Sequence, residues 1–488
     1  MCQYRIPRST RPRPDPEFSG QRTTDDRLYA VRRILYLVLM RNSSLVRRDL
    51  RVLWHPCTQM KDHEDLPPIP IRSGSGVWVE DFDGHRYIDA ISSWWVNLFG
   101  HCNARINTAV ASQLSSLEHV ILAGFTHEPI IELSERLVAT APAGLGHCFY
   151  ADSGSAAVEI AIKMSLHYWR NRGRPERTRF IGLGNGYHGE TLGALSVSDV
   201  DLYRRTYEPL MPSHITVPSP DCYFREPGES CPDYSRRMFQ HMHRALEQHA
   251  DEVCAVIVEP LVQCAGGMRM YDPVYLQLLR KACDEHEVLL IADEIAVGFG
   301  RTGTMFACEQ AGIRPDILCA GKGLTGGYLP LSVCLTTDEI YSAFYAGYAE
   351  QRAFLHSHSY TGNALACAAA LATLDIFRDD DVLNHNRSLA RHMAQAVAPL
   401  AGHPHVGEVR QTGMIVAIEM AMDGRGRKPY NWMERRGRTV YRYALEHGAI
   451  LRPLGDVIYL MPPYVIQPDE IDRLAAIAAE GIDLASEA

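Results

Sequence analysis

The segment Leu289-Leu290-Ile291-Ala292-Asp293-Glu294-Ile295 is an apolar run that closes on two carboxylates. Such a run reads as a buried strand, and in open α/β sheets ligands gather at the carboxyl ends of strands. Asp293 is therefore placed to meet a ligand, although a strand-end acid alone also reads as a helix cap or a loop tie. A second apolar run, Ile317–Ala320, leads into Gly321-Lys322-Gly323. A lysine with glycine on either side, held in an enclosed site, loses its proton readily and attacks carbonyl carbon, the requirement for Schiff-base chemistry. In isolation Lys322 reads as a surface lysine in a turn. Between a short strand and the helical stretch 157–169 lies Asp152-Ser153-Gly154-Ser155-Ala156. Free amides at a helix start, the positive end of its dipole, the Ser155 hydroxyl and the bare Gly154 backbone together suit an anion. By itself Ser-Gly-Ser is a cap and a turn.

A lysine for an aldehyde, an acid for a pyridine nitrogen and a cradle for a phosphate are the three requirements of pyridoxal 5'-phosphate. Asn185-Gly186-Tyr187-His188-Gly189 adds an aromatic ring on a glycine-flexed loop, able to stack on a flat cofactor. His188 suits a structural part equally well. The elements that must position these groups are set by the pattern of apolar runs. Phe149-Tyr150-Ala151, 255–258, 288–292 and 317–320 alternate with helical patterns, the rhythm of a parallel sheet covered by helices. After about Arg378 come a polar helical stretch and strands over 414–420 and 457–460, which predict a separate, smaller α/β layer.

The chain has 488 residues, 46% hydrophobic and 22% charged, with a formal net charge of -9. That length holds more than one domain, and that charge gives no reason to bind nucleic acid or an anionic membrane. Small molecules are the expected partners. Thirteen cysteines without a C-x-x-C pair read as reduced thiols, most of them in apolar runs such as those around Cys254 and Cys319, which favours the cytoplasm. His356 and His358 are close, but no neighbouring carboxylate or cysteine completes a metal-ligand set, so no metal is expected. Up to about Arg51 the positive charge is all arginine and no core pattern shows, so this stretch is expected to be a tail, with translation beginning downstream at Met40. The apolar run 34–40 is far shorter than the roughly 20 residues of a membrane span.

Seven motifs in order carry a family resemblance. They are Trp54-His55-Pro56, Ser92-Ser93-Trp94-Trp95, Ala151-Asp152-Ser153-Gly154-Ser155, Asn185-Gly186-Tyr187-His188-Gly189, Gly266-Gly267-Met268-Arg269-Met270, Gly298-Phe299-Gly300-Arg301-Thr302-Gly303 and Tyr459-Leu460-Met461-Pro462-Pro463-Tyr464. From about residue 53 to residue 468 the chain resembles the class III aminotransferases of fold type I, and within them the branch that aminates 8-amino-7-oxononanoate in biotin biosynthesis. The resemblance implies an α/β fold with a large, mostly parallel sheet domain and a smaller α/β domain built from both chain ends. Residues 1–50 would be an extension, 51–97 and 379–488 the two parts of the small domain, and 98–378 the large one. It implies Lys322 as the Schiff-base lysine and proton shuttle, Asp293 as the pyridinium partner, and Gly154 and Ser155 as phosphate binders. Tyr187 would stack on the ring and touch substrate, Trp94 and Trp95 would wall the substrate pocket, and Arg301 would lie among the substrate contacts. Arg452 would grip the carboxylate of the keto substrate, a task suited to a planar bidentate donor. Ser357, His358 and Ser359 fall where one subunit reaches the other's cofactor phosphate and substrate, which implies a homodimer.

Two features depart from the commonest pattern. Where the family usually has an aromatic residue lining the pocket, after Trp54-His55-Pro56, this chain has Cys57. The stretches from Gly321 to Pro330 and from His358 to Asn363 are similar to the form of the enzyme that takes lysine as donor, so the amino donor stays open between S-adenosylmethionine and lysine. The rival readings are an omega-amino-acid transaminase or aminomutase on the same fold, and a silent binding protein on an old enzyme scaffold.

Overall fold

The computed structural model describes residues 41–424 and 426–487. The apolar run 34–40, Met40 and most of the expected N-terminal extension lie outside the described residues. The described residues divide into two compact units, 41–72 with Asp81–His85, and Ser73–Glu80 with the described residues from Arg86 onward. In the first, a helix over Arg41–Val52 leads into a loop in which His55 Nε2 lies 2.6 Å from Asp49 Oδ2.

The second unit is built on a seven-stranded sheet. Its strands are β1 (Leu145–Ala151), β2 (Arg179–Leu183), β3 (Ile215–Val217), β4 (Val253–Val258), β5 (Leu289–Asp293), β6 (Ile317–Ala320) and β7 (Ser332–Thr337), in the spatial order β1-β7-β6-β5-β4-β2-β3. β6, β5, β4, β2 and β3 run parallel, while β7 is antiparallel to both of its neighbours. β4 and β6 are buried along their whole length, which explains why they read as unbroken apolar runs without alternation; β7 is equally buried but carries Ser332, Thr336 and Thr337 and does not read as such a run. Helix α1 (Gly154–Asn171) lays Ala157, Ile160, Ala161 and Met164, one helical stripe, against Ile257, Ile291, Ile317 and Cys319 of the sheet. Helices α2 (Cys231–His249) and α3 (Pro273–Glu285) bring Met242, Leu246, Leu276 and Leu279 into one core with Val256, Val258 and Leu290. Helix α4 (Ala364–Asp379), rich in alanine and therefore able to approach closely, joins the core of Leu318, Ala320, Val333 and Leu335.

The later part of the chain forms the smaller layer expected from its pattern. Helix α5 (Val382–Val397) precedes the antiparallel sheet of β8 (Val406–Thr412), β9 (Ile415–Met420) and β10 (Val457–Leu460), with helices α6 (Arg436–Glu446) and α7 (Pro468–Glu487) beside it. An early segment of this same unit is tied to it. Ile88 N donates to Gly448 O at 2.9 Å, Ile450 N to Ile88 O at 2.9 Å, and Trp78 Nε1 to Glu470 Oε1 at 2.7 Å.

One expectation is corrected. Cys222 and Cys231 form a disulfide, with Cα atoms 5.5 Å apart, so the cysteines are not all reduced thiols. The intervening segment contains Pro227-Gly228, and the turn folds the chain back so that α2 begins beside Cys222. Neither spacing nor composition marks such a pair. Among the described residues no helix is long and apolar enough to cross a membrane.

Candidate active site

The parallel pairing of β5 with β6 sets Asp293 beside Cys319, three residues before Lys322. The acid and the lysine therefore leave neighbouring strands at the same sheet edge. Lys322 comes directly after Gly321, in a backbone of φ +41, an uncommon conformation for a residue with a side chain. Its Nζ sits 4.9 Å from the centre of the Trp95 ring. Burial lowers the pKa of this amine below the ordinary lysine value, while Asp293, Cys264 and Glu259 pull it back up. A lowered value enlarges the neutral, nucleophilic fraction.

Asp293 is 5% exposed. Its Oδ2 lies 2.8 Å from His188 Nδ1, and its Oδ1 accepts the Ile295 amide at 3.2 Å. His188, 3% exposed, is thus the side chain that orients the acid. Its neighbour Glu294 takes the other fate of a strand-end carboxylate: it is fully buried and accepts the Ala307 and Cys308 amides at 2.9 and 2.8 Å.

At the start of α1, Ser153 caps the helix by accepting the Ala156 amide, and among the described residues the Gly154 and Ser155 amides have no acceptor. Ser155 Oγ is 2.7 Å from Thr191 Oγ1 and accepts the Thr191 amide at 3.0 Å. The loop carrying Tyr187 closes on this point, because a side chain at Gly189, φ +120, would come within 2.4 Å of Ser155 Oγ. Tyr187 donates its hydroxyl to Glu190 at 3.0 Å and packs edge-on against Tyr203. A primary amine of lowered pKa, a buried acid and open helix-start amides form the donor set that pyridoxal phosphate needs, and these residues fit it.

A third cluster walls the site. Ser92, Ser93, Trp94 and Trp95 all have positive φ, between +47 and +74, so they form one left-handed turn. Such a conformation costs about 1–2 kcal/mol for each residue with a side chain. The turn puts the Arg452 guanidinium 4.5 Å over the Trp94 ring, Trp94 being 39% exposed, and sets Trp95 Nε1 to donate to Tyr459 Oη at 3.1 Å. Arg301, expected among the substrate contacts, is 1% exposed, and its guanidinium donates to the carbonyls of Trp95, Asn97, Met461 and Pro462. In this arrangement it braces the tryptophan wall.

Near the cradle, His358 Nδ1 lies 3.9 Å from Asp152 Oδ2, and its Nε2 is 3.1 Å from His356 Nε2. Ser357 and Ser359 are exposed, and Ser359 O lies 2.8 Å from His119 Nε2. Cys57 is exposed at φ +48 in the first unit.

Glu259 is a site residue that the motifs do not single out, although the rule that marks Asp293 marks it too: it comes directly after the apolar strand β4. It is 5% exposed and accepts the amides of Tyr187 and Cys264, both at 2.9 Å. Burial pushes its carboxyl up to about 7. A carboxyl whose pKa is raised on folding favours the folded state at pH below its unfolded value, and that contribution is lost as pH rises through about 7. Relative to a Glu259→Gln variant, the cofactor-free protein should therefore lose stability between about pH 5 and pH 8, by on the order of 3 kcal/mol. Thermal unfolding of both proteins across that range checks this, and a difference independent of pH would contradict it.

The Aminotransferase class-III family profile matches residues 59–480, and the chain belongs to that family of pyridoxal-phosphate-dependent enzymes. Among the individual proteins it is similar to is the adenosylmethionine-8-amino-7-oxononanoate aminotransferase of Helicobacter pylori, 47% identical over 446 residues, spanning 90% of this chain and 98% of the relative. The solved structure of the enzyme of the same name from Methanocaldococcus jannaschii superposes with a TM-score of 0.86 at 39% identity, over 91% of this chain and 99% of that one. An omega transaminase from Pseudomonas jessenii, solved in complex with PMP, gives a TM-score of 0.86 at 30% identity, over 91% of this chain and 98% of that one.

Proposed function

We propose that the protein transfers an amino group to 8-amino-7-oxononanoate, giving 7,8-diaminononanoate for biotin, with S-adenosylmethionine as donor. The observation that carries the reading is Arg452 stacked on Trp94, at the wall whose next residue, Trp95, covers Lys322. A guanidinium held over an aromatic face is a positioned, bidentate grip for the carboxylate of a keto acid. The names of the relatives supply the identity of that acid and of the donor.

Bound pyridoxal phosphate supplies an aldehyde for the amine and a protonated ring that accepts the electron pair released at the substrate's Cα. Ser155 and the amides of Gly154 and Ser155 would hold its phosphate, and Tyr187 would face its ring. Asp293, oriented by His188, holds the proton at the pyridine nitrogen. Lys322 Nζ, its basicity lowered by burial, would take the proton from the substrate's Cα and deliver it to the cofactor's C4′. Trp95, 3% exposed, keeps water from that amine. Donor and acceptor use the same site in turn, a ping-pong scheme.

Arg452→Ala is expected to raise KM for the keto acid about 10- to 100-fold, the worth of a charged hydrogen bond, with a smaller effect on kcat. An unchanged KM would remove Arg452 from the carboxylate grip. The active form also includes a second copy of the chain, with Ser357, His358 and Ser359 entering the neighbouring site, in the cytoplasm. Exposed apolar side chains in and beside that segment, Leu355 at 91% and Tyr348 at 99%, favour a covered face. Growth complementation of a biotin auxotroph lacking this amination step tests the function. Failure to complement by an expressed, folded protein would favour the omega-amino-acid transaminase or the silent scaffold.

A further inference from the structure

The left-handed turn at Ser92–Trp95 is fixed at its ends by groups already described. Ser92 Oγ donates to Met461 O at 2.7 Å, and Arg301 holds Trp95 O and Asn97 O at 3.3 and 3.0 Å. The middle of the turn depends on one side chain. Asp89, 1% exposed, accepts the Ser93 amide on Oδ1 at 2.9 Å and the Ser93 hydroxyl on Oδ2 at 2.6 Å. Its Oδ2 also lies 3.1 Å from His101 Nε2, and His101 is pinned in turn by backbone bonds to Gly76 in both directions, at 2.7 and 3.2 Å.

We infer that Asp89 is a positioning residue for substrate recognition: it holds Ser93 and Trp94 in the left-handed conformation that stacks Trp94 beneath Arg452. Asp89 touches neither Arg452 nor Lys322 directly; it acts through the backbone of Ser93. Residues with side chains leave the left-handed region when nothing detains them. Without the two Ser93 bonds the centre of the turn relaxes, and the Trp94 ring leaves the guanidinium while Arg301 still retains Trp95 over Lys322. The consequence falls on acceptor binding and spares the cofactor. This inference rests on the reading of Trp94 and Arg452 as the acceptor pocket.

The test compares wild type, Asp89→Asn, Ser93→Ala and the double variant Asp89→Asn/Ser93→Gly, each as holoenzyme. Asp89→Asn is expected to raise KM for the keto acid about tenfold. Its kcat should stay within about threefold of wild type, and the visible absorption of the bound cofactor should not change. Ser93→Ala, which keeps the acid and removes one bond, should raise KM about threefold. Glycine at 93 adopts positive φ at little cost, so the double variant should recover at least about half of the lost affinity on a logarithmic scale. The tryptophan bands of the near-ultraviolet circular dichroism spectrum should change in Asp89→Asn and return toward wild type in the double variant. An unchanged KM in both single variants overturns the inference. So does a raised KM that glycine does not rescue, because Asp89 would then act by its charge and not through the turn. If wild type itself fails to turn over the keto acid, the acceptor reading fails, and the circular dichroism result still decides whether Asp89 holds the turn.

Discussion

Replacing Lys322 with alanine is expected to reduce turnover by at least about a thousandfold while leaving the protein folded. The side chain performs two tasks. It would anchor the cofactor's aldehyde, and it would move the proton between the substrate's Cα and the cofactor's C4′. Its surroundings serve both: burial lowers the amine's pKa, and Trp95 lies 4.9 Å from Nζ. The variant should still bind pyridoxal phosphate through Ser155 and Asp293, with the absorption of free cofactor in place of the lysine-linked form. Added small amines should restore a fraction of the lost rate, since they can carry the proton but cannot be positioned. A Lys322→Ala protein with normal turnover would refute the site.

Asp293→Asn is expected to cost about 10²- to 10⁴-fold in kcat, with KM for the keto acid changing far less. Asparagine preserves the shape and can still accept from the Ile295 amide, but it cannot hold a positive charge on the pyridine nitrogen. His188 would then face a neutral amide at the position where it now sits 2.8 Å from a carboxylate. The loss should be confined to steps that need the electron sink, so a slower reaction with both amino donor and keto acceptor is expected. Steady-state kinetics with each substrate varied in turn, alongside the cofactor's absorption, check it. Equal activity of the asparagine variant would show that Asp293 is a loop tie, as Glu294 is.

Asp293 and Lys322 are legible in the sequence because parallel strands buried on both faces leave long apolar runs, and the residues just past such a run lie at the ligand edge. Glu259 obeys the same rule, yet it does not stand out, because no cofactor atom requires a second acid. Strand β7 is not legible, since Ser332, Thr336 and Thr337 break its apolar pattern, and burial records no strand direction. Nor is the disulfide, whose partners are brought together by a turn and not by a pattern. The handedness of the turn at Ser92–Trp95 is also hidden. Four residues that each disfavour positive φ adopt it only under the hold of Asp89, Arg301 and Met461, which are remote in sequence or silent in pattern. In the sequence His188 stays open between two roles, and its 2.8 Å approach to Asp293 assigns it to the acid. Arg301 carries a family expectation of substrate contact, whereas its burial among four carbonyls gives it the work of a brace.

The proposed function is tested most directly by supplying the purified holoenzyme with 8-amino-7-oxononanoate and either S-adenosylmethionine or lysine, and measuring 7,8-diaminononanoate by mass spectrometry. The expected result is diamine formation with S-adenosylmethionine, consumed in equal amount, and little with lysine. Diamine formed only with lysine would reverse the donor assignment, and no diamine with either donor, from an enzyme that has bound its cofactor through Lys322, would contradict the proposed function.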